Sequence, residues 1–255
     1  MKIVASIQAR MGSSRLPGKV LKDICGKPML LWHLERIKRS RLLDDVIIAT
    51  TTSEKDDELI SFCNQHSVSY FRGSENDVLK RVSALINHHE IDIHIELCGD
   101  SPLTDPQIID EFVGYYLKYH DRFDYVSNSI KTTYPPGQEV TVYPGSVLTS
   151  LDQSISFDDP MREHVGYNIT RFPEYYRLAS LEAPDRFCEP EAYLEVDTPI
   201  DLEMMRKLIG CFVEKGLEHF SLSQILELLR QKPEIMQQNR FEERRWKSLR
   251  EDSDA

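Results

Sequence analysis

The sequence predicts an α/β fold, a mostly parallel sheet with helices on both faces, and three observations predict it. Strand-like and helix-like segments alternate through residues 1–128, the rhythm of a parallel sheet built from crossover units. The first apolar run feeds directly into a loop of Gly, Ser, Arg and Lys, on the rim where such sheets take ligands. The composition, 40% hydrophobic and 29% charged over 255 residues with 11 Gly and 13 Pro, is that of an ordinary globular chain long enough for one large domain.

Each element follows from local pattern. Ile3 to Ala9 is a short apolar strand. Pro28 suits the first turn of a helix whose Leu30, Leu31, Leu34 and Ile37 recur at helical spacing up to Arg39. Residues 45–50 (DVIIAT) predict a second strand, and Ser53 with Asp56 a capping box for a helix to about Asn64. Ser69 to Phe71 is a brief strand. Asp77 to His88 is a helix with Val78, Leu79, Val82, Leu85 and Ile86 apolar, and Ile91 to Cys98 the next strand. Asp105-Pro106 caps a helix reaching about Lys118, and Asp124 to Ser127 returns as a strand. After Ser129 the rhythm changes. The turn Thr133-Tyr134-Pro135-Pro136-Gly137 precedes an alternating strand from Glu139 to Tyr143, a helix over 160–170, and strands over 177–181 and 193–196. Thr198-Pro199 opens a strong helix, and another begins near Ser221. The expected organisation is one domain over 1–236, with 129–182 an acceptor or dimer lobe within it. Residues 237–255 form a charged tail, read as a peripheral helix fraying into disorder.

Charge and cysteine usage exclude several classes. A formal net charge of −11 argues against coating a nucleic-acid backbone, which needs a basic face, while leaving room for a local basic cluster. Five scattered cysteines without a CxxC pair suit neither a disulfide framework nor a zinc site. No apolar stretch approaches the roughly 20 residues that span a bilayer, and the start carries no small-residue cleavage pattern, so no membrane insertion and a cytoplasmic location are expected.

Three segments carry chemistry. Residues 8–19 (QARMGSSRLPGK) combine two glycines, two serines, two arginines and a lysine. Glycines let backbone N–H groups approach an anion, and Arg and Lys supply the charge that a triphosphate demands. The pattern is neither GxxxxGK[ST] nor GxGxxG, and a solvated basic turn is its bland alternative. In residues 96–103 (ELCGDSPL), Asp100 projects beyond an apolar strand, where a carboxylate can hold Mg²⁺ against phosphate oxygens or simply cap its own turn. Residues 193–202 (YLEVDTPIDL) repeat the arrangement, with Asp197 as a second metal ligand and Asp201 as helix N-terminal charge.

Taken together, IQARMGSSRLPGKVL with the later GKPML, the segment GSENDVLKR, the LCGDSPLTDP turn and EVDTPIDLE resemble the cytidylyltransferase family over roughly residues 1–206. That family includes the synthetases of CMP-ketodeoxyoctonate and of CMP-sialic-type acids, and the nearest branch is the spore-coat polysaccharide biosynthesis type. The resemblance implies a Rossmann-like sheet of the nucleotide-diphospho-sugar transferase type, CTP as co-substrate, Mg²⁺ as cofactor, a small sugar-type acceptor and a homodimer. It assigns CTP binding to Ala9, Arg10, Met11, Gly12, Ser13, Ser14, Arg15, Lys19, Arg72, Ser74 and Cys98, with Arg10, Lys19, Asp100 and Asp197 as catalytic residues. Asp100 and Asp197 match the metal-binding aspartates. Gln138, Glu139, Arg162 and His164 fall in acceptor-side segments, against the plainer readings of Glu139 as a turn carboxylate and His164 as a surface histidine. Cys98 stands where the sugar-acid synthetases commonly carry Gln, and Thr141 replaces an acidic residue expected in the spore-coat branch. The implied reaction transfers CMP from CTP to a sugar or sugar-acid hydroxyl, releasing pyrophosphate, for surface polysaccharide or glycoconjugate biosynthesis. Transfer to a phosphate or phosphonate, a metal-dependent glycosyltransferase and a non-catalytic nucleotide-binding subunit are the alternatives.

Overall fold

A computed structural model describes residues 1–244. In chain order the elements are β1 (Ile3–Gln8), the short hairpin β2 (Asp23–Ile24) and β3 (Lys27–Pro28), α1 (Met29–Ile37), β4 (Asp45–Thr51), α2 (Asp57–Gln65), β5 (Ser69–Gly73), α3 (Val78–His89) and β6 (Ile93–Cys98). There follow α4 (Pro106–Tyr119), β7 (Tyr125–Ser127), β8 (Thr141–Pro144), α5 (Gly145–Ser154), α6 (Tyr167–Thr170), β9 (Leu178–Ser180), α7 (Pro199–Val213), α8 (Leu222–Gln231) and α9 (Pro233–Met236).

Seven strands form one sheet in the order β5-β4-β1-β6-β8-β7-β9. Only β8 runs against its neighbours, antiparallel to both β6 and β7; β1 pairs parallel with β4 and β6. The expected α/β architecture is therefore present. Successive side chains of β1 enter opposite cores, because strand side chains alternate faces. Ile3, Ala5 and Ile7 pack in the larger cluster with α1, α2, α4, α7 and α8. Val4 packs with α3, α5 and α6 in the smaller one. From β1 the chain moves outward to β4 and β5, then returns on the other side of β1 as β6. That reversal opens a crevice beyond the carboxyl ends of β1 and β6.

Some local expectations give way. Tyr193–Val196 is buried but forms no strand, because its amides bond singly to turns: Leu194 to the Pro136 carbonyl at 2.7 Å and Val196 to that of Asp100 at 2.8 Å. The predicted helix over 160–170 is split into a 3₁₀ turn at Pro160–Glu163 and the short α6. Between them Gly166 donates its N–H to Oε2 of Glu96 at 2.8 Å instead of to a helical carbonyl. Ser53 makes no side-chain cap, and Asp56 turns its carboxylate toward Thr50, Thr51 and Met11. α5 has no counterpart in the sequence reading. β8 and β9, from the segment expected as a lobe, join the main sheet. Of the expected tail, Gln237–Asn239 form a 3₁₀ turn and both Asn239 and Arg244 are buried; residues 245–255 lie outside the described residues. Among the described residues no helix is long and apolar enough to cross a membrane.

Candidate active site

The loop after β1 is shaped by its own backbone and by one distant carboxylate. Gly18 takes φ 67° and donates to the Met11 carbonyl at 2.9 Å, closing residues 11–18 into a compact turn. A left-handed residue is strained for any side chain but readily reached by glycine. Asp56, 1% exposed, accepts the Met11 N–H at 2.7 Å and also binds the hydroxyls of Thr50 and Thr51. Burial disfavours its charge, but these donors outweigh that effect and hold its carboxyl below the usual range.

The turn after β6 approaches the same loop. Gly99 donates to the Gln8 carbonyl at 3.1 Å. A Cβ there would lie 2.4 Å from that oxygen, so the two strand ends can meet only at a glycine. Asp100 follows and projects into the crevice. Asp197 arrives from the third side, where Thr198 and Asp201 form a capping box at the start of α7. The Asp201 carboxylate also accepts the Asp197 N–H at 3.0 Å.

Lys19 joins the two aspartates. Its Nζ donates to Oδ2 of Asp100 at 3.0 Å, to Oδ1 of Asp197 at 2.8 Å and to the Val196 carbonyl at 2.9 Å. Arg15 holds the other oxygen of Asp197 at 2.7 Å. Burial works against the Lys19 charge, yet Asp100 and Asp197 overcome it and raise its pKa. Burial likewise works against ionised Asp100, and Lys19 overcomes it and lowers the carboxyl. Both aspartates are therefore aimed at one point already held by a cation.

The resulting cleft has a volume of about 290 Å³. Of the residues the resemblance singled out, Ala9, Arg10, Ser13, Ser14, Arg15, Lys19, Cys98, Asp100, His164 and Asp197 line it. Exposed Arg10 has no hydrogen bond or ion pair among the described residues. The cleft-lining thiol of Cys98 is pushed well above its ordinary pKa by desolvation and surrounding carboxylates, which leaves it a poor nucleophile.

The other expected positions are engaged elsewhere. The Met11 N–H is taken by Asp56, and Gly12 does not line the cleft. Arg72 donates to the Thr51 and Ser53 carbonyls and pairs with Asp57, while the Ser74 carbonyl accepts from Arg81. Gln138 is buried and spans the Asp105 N–H and the Leu103 carbonyl. Glu139 accepts the Gly137 N–H. Arg162 turns away into ion pairs with Asp77 and Asp152, tying its 3₁₀ turn to α3. These four side chains, one amide and one carbonyl are spent on holding the walls together.

Gln8, Val20, Val78, Arg81 and Gly99 also line the cleft without having been named as site residues from the sequence, and so does Glu163, which the resemblance placed with Arg162 and His164 in an acceptor-side segment. Val78 and Arg81 stand three apart in the first turn of α3, so they share a face; the apolar periodicity drew attention to Val78 and away from Arg81. Arg81 is 3% exposed, and its Nε has no hydrogen-bond partner. Desolvation, then the like charge of Arg10, bring its pKa down to about 10 against the pull of Asp56, Asp77 and Glu163. Two guanidinium groups pressed toward one cleft favour an anion between them.

Among the described residues no group of three or more His, Cys, Asp or Glu side chains could hold a metal by itself. Asp100 and Asp197 nonetheless suit Mg²⁺, which keeps waters and substrate phosphates in its shell and takes only one or two carboxylates from the protein. Their shared hold on the Lys19 ammonium shows the two carboxylates converging on one positive charge.

Known proteins share this arrangement of chain. Spore coat polysaccharide biosynthesis protein SpsF of Bacillus subtilis is 33% identical, over 91% of this chain and 95% of its own. The 8-amino-3,8-dideoxy-manno-octulosonate cytidylyltransferase of Shewanella frigidimarina is 28% identical over 82% of this chain and 85% of its own. The solved structure of a cytidylyltransferase from Leptospira borgpetersenii superposes with a TM-score of 0.85 at 32% identity, covering 93% of this chain and 97% of that one. The profile of the cytidylyltransferases matches residues 4–243, the span that carries the loop, both aspartates and the sheet beneath them, and the chain belongs to that family.

Proposed function

We propose that this cytidylyltransferase joins CMP from CTP to a hydroxyl of a sugar-acid acceptor, with release of pyrophosphate, and that the product feeds surface polysaccharide or glycoconjugate synthesis. The observation that carries this reading is the Lys19 bridge between Asp100 and Asp197, set under a Gly/Ser loop that brings Arg10 and Arg15 to the same cleft. The names of the spore-coat and octulosonate relatives support the acceptor class.

The reaction is an in-line displacement at the α-phosphorus, so the protein's part is positioning and charge neutralisation. Arg10 and Arg81 meet the triphosphate from one wall, which relieves their mutual repulsion. Lys19, with three donors, exchanges an aspartate oxygen for a phosphate oxygen and offsets charge that builds on the leaving pyrophosphate. Asp100 and Asp197 would hold Mg²⁺, which when bound neutralises phosphate oxygens and lowers the pKa of the acceptor hydroxyl. Glu163 and His164 also line the cleft, and the acceptor would sit against them. Burial lowers the His164 pKa, with Glu163 opposing, which favours a neutral ring able to accept a hydrogen bond from a hydroxyl.

A pyrophosphate-release assay with Mg²⁺, testing four nucleoside triphosphates against a panel of sugar acids, tests the proposal. The expected result is release with CTP and a sugar acid alone, with a CMP conjugate of matching mass. Release with UTP in place of CTP, or conjugation of a phosphate acceptor only, would overturn it.

A further inference from the structure

We infer that the C-terminal segment Gln237–Arg244 is a strap of the active site, whose buried Arg244 acts through Asp201, and whose Glu243 carbonyl acts through Arg15, to position the Asp197 carboxylate. The inference rests on the cytidylyl-transfer reading above and adds to it a part of the chain with no chemistry of its own.

Two independent routes lead from the strap to Asp197. The first runs through the main chain. Asp201 is fully buried and divides its carboxylate. Oδ2 accepts the N–H of Asp197 at 3.0 Å and that of Thr198 at 2.9 Å. Oδ1 accepts Asn239 Nδ2 at 2.9 Å and Arg244 Nη2 at 2.9 Å. The strap thus fixes the carboxylate that folds the Asp197 turn. The second route runs through the side chain: Arg15 gives Nη2 to Asp197 Oδ2 at 2.7 Å and Nη1 to the Glu243 carbonyl at 3.0 Å. One fork therefore spans the proposed metal ligand and the strap.

The chemistry chosen for this clasp argues against mere tethering. The Arg244 side chain is 1% exposed, over the Tyr193 ring at 4.4 Å and 3.4 Å from Glu195. Its Nε and Nη1 lack hydrogen-bond partners. A segment that only closed the core would do so with an apolar side chain, since buried ion pairs seldom stabilise more than their hydrophobic replacements. A guanidinium here fixes the orientation of the Asp201 carboxylate, and that orientation is what the Asp197 and Thr198 amides require. Supporting residues behind a metal ligand commonly change metal affinity by about 10- to 100-fold.

The test compares full-length wild type with Arg244→Met and Arg244→Lys. Three quantities are read: Mn²⁺ binding in the presence of CTP, from the resonance signal of free Mn²⁺; CTP binding in chelator, by calorimetry; and the melting temperature. Arg244→Met should weaken Mn²⁺ binding about tenfold while metal-free CTP binding stays within about twofold, and Arg244→Lys should fall between it and wild type. Wild-type Mn²⁺ affinity in Arg244→Met overturns the inference, as does a parallel loss of both affinities that tracks the melting temperature. Should Arg244→Met fail to fold, Arg244→Lys, which keeps the buried charge, carries the same comparison. If wild type itself binds neither CTP nor Mn²⁺ with CTP, the functional reading falls together with the strap; if wild type binds both and the variants match it, only the strap falls.

Discussion

The ammonium of Lys19 lies 2.8 Å from Oδ1 of Asp197, so a proposed catalytic cation and a proposed metal ligand satisfy each other. The pair is mostly shielded, with side chains 12% and 18% exposed, and solvent screens it little. Its consequence is competition. A divalent cation arriving without nucleotide must displace a covalently attached one, whereas a cation arriving with triphosphate brings Lys19 a new partner.

Lys19→Ala should therefore separate two properties that usually move together. Turnover should fall about 100-fold or more, the usual effect of removing one group that stabilises transition-state charge. Mn²⁺ should bind the nucleotide-free variant more tightly than wild type, because Asp100 and Asp197 then face each other with no lysine between them. Steady-state kinetics and Mn²⁺ titration read the two effects. Unchanged turnover, or weaker Mn²⁺ binding without nucleotide, would contradict the arrangement.

Asp56 predicts a loop defect without loss of chemistry. It does not line the cleft, yet its Oδ1 holds the Met11 N–H while the same carboxylate anchors Thr50 and Thr51 at the end of β4. Asp56→Ala should raise KM for CTP about tenfold with a smaller change in kcat. It should also cost about 1–3 kcal/mol of stability for the donors left unpaired. A fall in kcat at unchanged KM would assign Asp56 to the reacting groups instead.

The sequence disclosed what is local and withheld what depends on distant partners. Asp100 and Asp197 were legible because each ends an apolar run just before a turn, and the β1 loop because its composition is anionophilic. The single point at which Lys19, Asp100 and Asp197 meet joins positions 81 and 178 residues apart, which only the order of strands determines. Arg162 shows the reverse: the resemblance placed it in an acceptor-side segment, but Asp77, 85 residues away, claims its guanidinium. The break before α6 has the same origin, since Glu96 captures the Gly166 amide across 70 residues. That break leaves Glu163 and His164 at the cleft, where an unbroken helix was expected.

Gly99→Ala tests whether the approach of β6 to β1 sets the site. The added methyl would meet the Gln8 carbonyl oxygen, a backbone atom that has no rotamer to change. The strand ends must separate, at about 1–3 kcal/mol of overpacking, and Asp100 must move away from Lys19. The expected result is a lower melting temperature together with a loss of CTP binding. Gly12→Ala supplies the stability reference, because nothing lies within 4 Å of its Cβ position, and its melting temperature should match wild type. Equal melting temperatures for both variants would show that the two loops are not held at their closest approach.

Glu96 predicts a dependence of stability on pH. It lies on β6, bonded to Gln8 Nε2 at 3.1 Å, to the Tyr143 hydroxyl at 2.9 Å and to the Gly166 amide. Burial raises its pKa from 4.5 to about 7, and the three donors only partly oppose the rise. Between those two values the native protein holds a proton that the unfolded chain has lost. Stability from this group is thus fully present below pH 4.5 and disappears as pH rises through about 7, by up to roughly 3 kcal/mol. Other carboxyls, Asp56 and Asp201 among them, are shifted downward and act in the opposite sense at lower pH. The informative quantity is therefore the difference between wild type and Glu96→Gln, whose neutral amide can still accept from Tyr143 and Gly166. Denaturant melts from pH 4.5 to 8 should show wild type losing stability relative to the variant as pH rises. A difference that stays flat across that window would mean that Glu96 titrates as an ordinary carboxylate, and that the Gly166 break is held by a charge rather than by a proton.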